Sequence, residues 1–305
     1  MPKSNQMNFL AKNLRGTGVA VVTPFNEDFS IDTESIIRLV DFLIDNGVDY
    51  IVVQGTTGES STLNKSEKNL SRTAFVNANK GRVPMILGLG SNDTLSIVND
   101  LRSSQFSGFS AILSVTPFYN KPSQNGLYKH YSAISKASPL PIILYNVPSR
   151  TGVNMLAKTT IEIASNHPNI IGIKEACGDL NQVKQLIEKR PKDFMIISGD
   201  DETAVKTVLL GGDGVISVAA GCIPKYFTEI IRLALNKNED LSLKKLNQIQ
   251  LLLKLLFAEG NPSGIKSALS SMNLCKNVLR LPLTKVGKDL DLNIKKTITS
   301  IYKQQ

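Results

Sequence analysis

Two histidines and three scattered cysteines are all that this chain of 305 residues offers a soft metal ion. Cys177, Cys222 and Cys275 never form a C-x-x-C spacing, and neither His130 nor His167 has a cysteine or a second histidine at ligand spacing. Neither a metal site nor a disulfide framework is indicated. Tryptophan is absent. No apolar run approaches the ~20 residues that a bilayer requires. The first residues lack the combination of basic start, apolar stretch and small-residue cleavage site that marks a secreted chain. A soluble cytoplasmic protein without a membrane segment is therefore expected. Lysine and arginine exceed aspartate and glutamate by 35 to 26, a net charge of +9. These cations are spread over helix-like segments instead of forming a patch interleaved with aromatics. That argues against nucleic acid, and for solvated helix faces with a mild pull on anionic substrates.

With 42% hydrophobic residues the chain can bury a large core, as one barrel-sized domain or two smaller ones. After a polar arm, strand-like runs recur at residues 16–25, 50–55, 84–90, 111–117, 141–148, 170–176, 195–201 and 214–220. Amphipathic stretches lie between them, among them 32–47, 93–106, 124–137, 179–190 and 202–210. In the first, Asp32 or Thr33 caps, Ile36, Leu39, Val40 and Leu43 form the stripe, and Gly47 ends it. Eight such units predict a closed (β/α)8 barrel of parallel strands, the TIM-barrel architecture, because right-handed crossovers in that number close on themselves. A doubly wound sheet competes, but Gly88 and Gly90 are followed by Asp93 where a dinucleotide fingerprint needs its third glycine. Gly211, Gly212 and Gly214 precede the eighth strand, on the wrong face for a phosphate loop, and read as a tight turn.

Beyond residue 235 only helices follow: one at 241–257, one begun by Pro262, and a basic final helix. The predicted division is a barrel over 1–235 and a C-terminal helical subdomain over 236–305, with a role in assembly for the latter.

One strand breaks the apolar rule. Residues 170–176, IIGIKEA, read as a strand covered on both faces, yet Lys174 sits near the end. Desolvation favours the neutral form of a lysine, and a neutral amine attacks carbonyl carbon to give a Schiff base. The alternative is pairing with Glu175 or a snorkel to water. Neighbouring strand residues point to opposite faces, which weakens the pairing option.

In such barrels the chemistry lies at the C-terminal strand ends. The second strand ends in GTTGES (55–60), whose hydroxyls and N–H groups suit a carboxylate or oxyanion, or simply make a capped turn. The fourth runs into TPFYNKPS (116–123) with Tyr119, and the fifth into YNVPSRTG (145–152) with Tyr145 and Arg150. Each tyrosine is either a proton shuttle or packing, and Arg150 either forks onto a carboxylate or faces solvent.

Taken together, GTTGES, TPFYNKPS, YNVPSRTG, GIKEA, SGDD and GVIS, in this order and spacing from about residue 16 onward, resemble the dihydrodipicolinate synthase family. That family belongs to the pyruvate-dependent class I aldolases related to N-acetylneuraminate lyase. The resemblance implies condensation of pyruvate with L-aspartate 4-semialdehyde, the first committed step of lysine biosynthesis through diaminopimelate, with no cofactor or metal. It assigns the Schiff base to Lys174, imine formation and proton transfer to Tyr145, and a relay to Thr56 and Tyr119, the latter supplied by a neighbouring subunit. Thr57 matches a pyruvate-carboxylate contact, Arg150 the receiver of the second substrate's carboxylate, and Gly199 and Ile216 main-chain lining of the pocket. It also implies a homotetramer built as a dimer of dimers.

The rivals are a sialic acid lyase or other sugar-acid aldolase on the same barrel, and a non-catalytic keto-acid-binding barrel. Arg150 in SRTG favours the short carboxylated aldehyde over the former, and the intact residue set argues against the latter. Members inhibited by lysine bind it at the dimer interface. Ser60, Ser61 and Asn92 match their pattern, whereas Lys65 and Lys68 replace histidines, Ser96 a glutamate and Phe118 a tyrosine. Weak or absent inhibition by lysine is the expectation.

Overall fold

The computed structural model describes residues 14–303; the polar N-terminal arm lies outside them. Eight parallel strands form a closed barrel in chain order. They are β1 (Gly16–Ala20), β2 (Tyr50–Val53), β3 (Met85–Gly88), β4 (Ala111–Val115), β5 (Ile142–Asn146), β6 (Ile170–Glu175), β7 (Met195–Ser198) and β8 (Gly214–Ser217). β8 closes the ring on β1, with Gly18 opposite Ile216. The principal helices that follow each strand are α1 (Thr33–Asp45), α2 (Lys65–Asn79), α3 (Thr94–Ser103), α4 (Gln124–Ala137), α5 (Ala157–Asn166), α6 (Leu180–Lys189), α7 (Ala204–Leu209) and α8 (Pro224–Leu235).

Local sequence caps several of these helices. Asp32 accepts from the Ser35 N–H to cap α1, whose stripe of Ile36, Leu39, Val40 and Leu43 is buried. Asn64 and Glu67 make a reciprocal capping box at α2. Asp93, the residue that spoils the dinucleotide fingerprint, caps α3 by accepting from the Leu95 N–H. The glycine turn before β8 is tight, since a Cβ on Gly214 would collide with the Gly16 carbonyl.

Alternation along the strands divides the apolar residues into two cores. Inside the barrel lie Tyr50, Val52, Ile86, Leu113, Ile143, Ile171, Met195, Ile197 and Ile216. Tyr50 plugs this interior and donates its hydroxyl to the Val215 carbonyl at 3.2 Å. Between barrel and helices lie Ile51, Val53, Leu87, Ile112, Ile142, Leu144, Ile170, Ile173 and Ile196, among others.

β6 departs from simple alternation. Ile142 pairs with Ile170, but Ile143 pairs with Gly172, so the register slips by one residue at Ile171. The bulge reverses the phase of everything after it. Ile170 and Ile173 both face the helices, and Lys174 is turned toward the barrel beside inward-facing Tyr145. Without the slip, Lys174 would share the outward side of Ile170. Gly172 fits the bulge because a Cβ there would come within 2.9 Å of Met195 Cβ and of its carbonyl oxygen.

The C-terminal region contains four helices, α9 (Glu239–Gln248), α10 (Gln250–Phe257), α11 (Ser263–Ser271) and α12 (Lys288–Lys303). The single helix expected over 241–257 is broken at Ile249, which leaves helical geometry at φ −106°, ψ 3° and is itself buried. The bend lets Leu246 on one side and Leu252, Leu253 and Leu256 on the other all reach the core. Among the described residues no helix is long and apolar enough to cross a membrane.

Candidate active site

Tyr145 and Lys174 are register partners on β5 and β6, and the Lys174 amine lies 4.4 Å from the Tyr145 ring centroid. Both are buried, at 7% and 6% exposure. The next residues on each strand, Asn146 and Glu175, are also register partners and point the other way. Asn146 Nδ2 donates to both Glu175 carboxylate oxygens at 3.0 Å, Gln182 Nε2 donates to Oε2 at 2.9 Å, and the Cys177 N–H to Oε1 at 2.8 Å. Burial pushes the Glu175 carboxyl above the usual range against the opposing pull of these donors. Glu175 is thus satisfied behind the sheet, and the Asn146–Glu175 bond ties together the two strand ends whose other faces carry Tyr145 and Lys174. The alternation could have revealed this pairing, since Asn146 and Glu175 stand one residue beyond the two singled out.

Lys174 and Tyr145 open into a cavity of about 350 Å³ at the C-terminal ends of the strands. Thr56 and Thr57 border it from the turn after β2, Arg150 from the helical turn Pro148–Thr151, and Gly199 from the end of β7. Gly199 is required by space, because a Cβ there would lie 2.6 Å from Ala176 Cβ and 3.0 Å from Lys174 Cε. Thr57 is buried and its Oγ1 accepts from Asn261 Nδ2 at 3.0 Å. Arg150 is exposed at the rim, with Nη2 3.4 Å from the Asn261 carbonyl oxygen.

Two of the singled-out residues stand apart from this cavity. Ile216 is buried in the barrel interior and does not border it. Tyr119 does not line it either: it is 85% exposed, with a left-handed φ of 71°. Residues not singled out line it too, among them Cys177, Phe257 and Asn261. Burial, followed by the neighbouring Glu175 charge, pushes the Cys177 thiol up to about 12, so it is no thiolate nucleophile near neutrality. Phe257 and Asn261 come from the C-terminal region, beyond the barrel's repeating pattern, and no local motif announces them. That region was expected to serve assembly; here two of its residues reach the cavity.

The arrangement can hold a small keto acid against a buried amine, with hydroxyls at one wall and a guanidinium at the rim. Comparison with known proteins gives the same direction. The sequence profile of the Dihydrodipicolinate synthetase family matches residues 13–301. The 4-hydroxy-tetrahydrodipicolinate synthase of Flavobacterium psychrophilum is 49% identical over 279 residues, covering 90% of this chain and 94% of that one. Among solved structures, dihydrodipicolinate synthase from Thermotoga maritima superposes with a TM-score of 0.91 at 38% identity, covering 94% of this chain and 98% of that one. The chloride-inhibited enzyme from Acinetobacter baumannii, complexed with pyruvate, gives 0.90 at 40% identity over 94% and 98%. With a buried lysine and tyrosine at the mouth of an eight-stranded barrel and relatives matched over nearly their full length, the chain belongs to the dihydrodipicolinate synthetase family.

Proposed function

We propose that this cavity carries out the reaction of the family, condensation of pyruvate with L-aspartate 4-semialdehyde to 4-hydroxy-tetrahydrodipicolinate, through a Schiff base on Lys174. The observation that carries the reading is the Lys174–Tyr145 pair buried at one end of a cavity whose rim holds Arg150. The Lys174 amine attacks the keto carbon of pyruvate, and the resulting carbinolamine loses water to give an imine. The imine nitrogen accepts electron density as a methyl proton leaves, and the enamine carbon then adds to the aldehyde carbon while the aldehyde oxygen gains a proton. Ring closure by the substrate's own amine on the imine carbon expels the lysine. Thr57 holds the pyruvate carboxylate and Arg150 the carboxylate of the second substrate, while Tyr145, Thr56 and Tyr119 move protons through hydroxyls bonded in series. Incubation with pyruvate followed by borohydride reduction tests the reading: the added mass should map to Lys174, and its absence would sink it.

Tyr119 is assigned to a neighbour's site, and its exposure and its absence from the wall of its own cavity support that assignment. The assembly is then at least a dimer, in the dimer-of-dimers tetramer proposed from the family. Tyr119→Phe should slow turnover by roughly 10 to 1000-fold, the range of one proton-transfer contact. Mixing that variant with Lys174→Ala subunits should recover activity, since a hybrid site inherits both intact groups. No recovery despite demonstrated subunit exchange would assign Tyr119 to its own chain.

Regulation by lysine is expected to be weak. Asn92 Nδ2 donates to the Phe118 carbonyl at 3.3 Å, which joins the loops after β3 and β4. Lys65 and Ser96 are exposed at the starts of α2 and α3. A cation where an acceptor is needed, with no carboxylate at 96 for the ligand's ammonium, removes contacts worth ~1.5 to 3 kcal/mol each. Initial rates across a lysine titration should stay nearly flat to millimolar concentrations, and saturable inhibition below that would contradict the assignment.

A further inference from the structure

The turn Thr56–Gly58 is followed by a second short turn, Ser60–Thr62, and Glu59 joins them in the left-handed region at φ 49°. A non-glycine residue holds that conformation at a cost, so the surroundings must over-determine it. The Glu59 carboxylate is fully buried, with Lys266 Nζ at 2.5 Å on Oε1 and the Arg280 N–H at 3.1 Å on Oε2. Lys266 is fully buried as well. It donates to the Val278 carbonyl at 2.8 Å and lies 4.2 Å from the centroid of the buried Phe25 ring. Beside this pair, Asn261 donates to Thr57 Oγ1, which leaves the Thr57 hydroxyl proton to donate elsewhere. Lys266 is 207 residues from Glu59 along the chain, and Asn261 is 204 from Thr57. The turn that borders the cavity is therefore held from behind by the C-terminal region, through Asn261, Lys266 and Arg280. Taking two opposite charges out of water costs about as much as their attraction returns, so the pair is a poor general stabiliser; it selects one geometry.

We propose that Lys266 is a positioning residue for the condensation: through Glu59 it fixes the turn carrying Thr56 and Thr57, and so sets how well the cavity holds the pyruvate carboxylate. Lys266 itself does not line the cavity. The inference rests on the reading of Thr57 as the carboxylate contact.

Lys266→Met keeps the aliphatic length and removes the charge. The pyruvate concentration for half-maximal borohydride trapping should rise about tenfold or more and kcat should fall with it, because Thr56 rides on the same turn, while KM for the semialdehyde stays within about twofold. Both readings lower the thermal midpoint, since the Glu59 charge is left unpaired, but a purely structural role would damage the use of both substrates together. The double variant Glu59→Gln/Lys266→Met leaves no unpaired charge, and it should regain the thermal midpoint lost in the single variant while keeping the raised pyruvate requirement. A folded Lys266→Met protein with the wild-type pyruvate requirement overturns the proposal. So does a double variant that regains wild-type pyruvate affinity, and this variant decides alone if the single one does not fold. Failure of the wild-type protein to trap pyruvate on Lys174 is a separate outcome that removes the aldolase reading, and with it the basis of the proposal.

Discussion

Lys174→Ala is expected to abolish pyruvate trapping by borohydride and to lower turnover by at least ~10³-fold, the scale on which loss of a covalent nucleophile acts. Cys177 borders the same cavity, but burial keeps its thiol protonated near neutrality, so it offers no substitute nucleophile. The truncation leaves the strand able to form. β6 is held on both sides by main-chain pairing, and the Glu175 carboxylate remains bound to Asn146, Gln182 and the Cys177 N–H. Unfolding measured on the same protein should therefore change far less than activity. Mass spectrometry after reduction reads the result directly, and a pyruvate adduct on the alanine variant would move the Schiff base to another lysine.

Arg150→Ala should separate the two substrates. The side chain is exposed at the rim and donates a long hydrogen bond to the Asn261 carbonyl, so its removal should scarcely affect stability. A guanidinium–carboxylate contact is worth ~1.5 to 3 kcal/mol, or roughly 10 to 150-fold in kcat/KM for the semialdehyde. Pyruvate should still be trapped to the wild-type extent, because Lys174 and Thr57 lie elsewhere on the cavity wall. Steady-state kinetics with each substrate varied in turn, together with trapping, distinguish the cases. Loss of pyruvate binding in a folded Arg150→Ala protein would show that the assigned role is wrong.

The barrel itself was open to reading along the chain, because each βα unit carries its own instructions. Asp32, Asn64, Asp93, Ser123 and Asp179 cap their helices through bonds to residues two or three positions away, and such contacts depend on nothing distant. The candidate residues on one strand end or its turn were legible for the same reason: a lysine in an apolar run contradicts its surroundings, and Arg150 and the two threonines sit in short motifs. The helix break at Ile249 was not legible, since residues 241–257 satisfy helical periodicity throughout and only docking against the barrel requires the bend.

What local sequence determined, then, is the succession of strands, helices and caps, and the presence of one lysine where a buried strand has no ordinary use for it. The face on which that lysine lies was decided by tertiary structure. It depends on a one-residue slip at Ile171, created by the pairing of β6 with β5, and a slip of that kind turns every later side chain to the opposite side of the sheet. Tertiary structure likewise brought Asn261 to Thr57 and Lys266 to Glu59 across more than 200 residues. Hydrophobic periodicity encodes which side of an element is buried, but it holds no information about which distant polar groups will meet there. Those meetings follow from closing the barrel and laying the last helices against it.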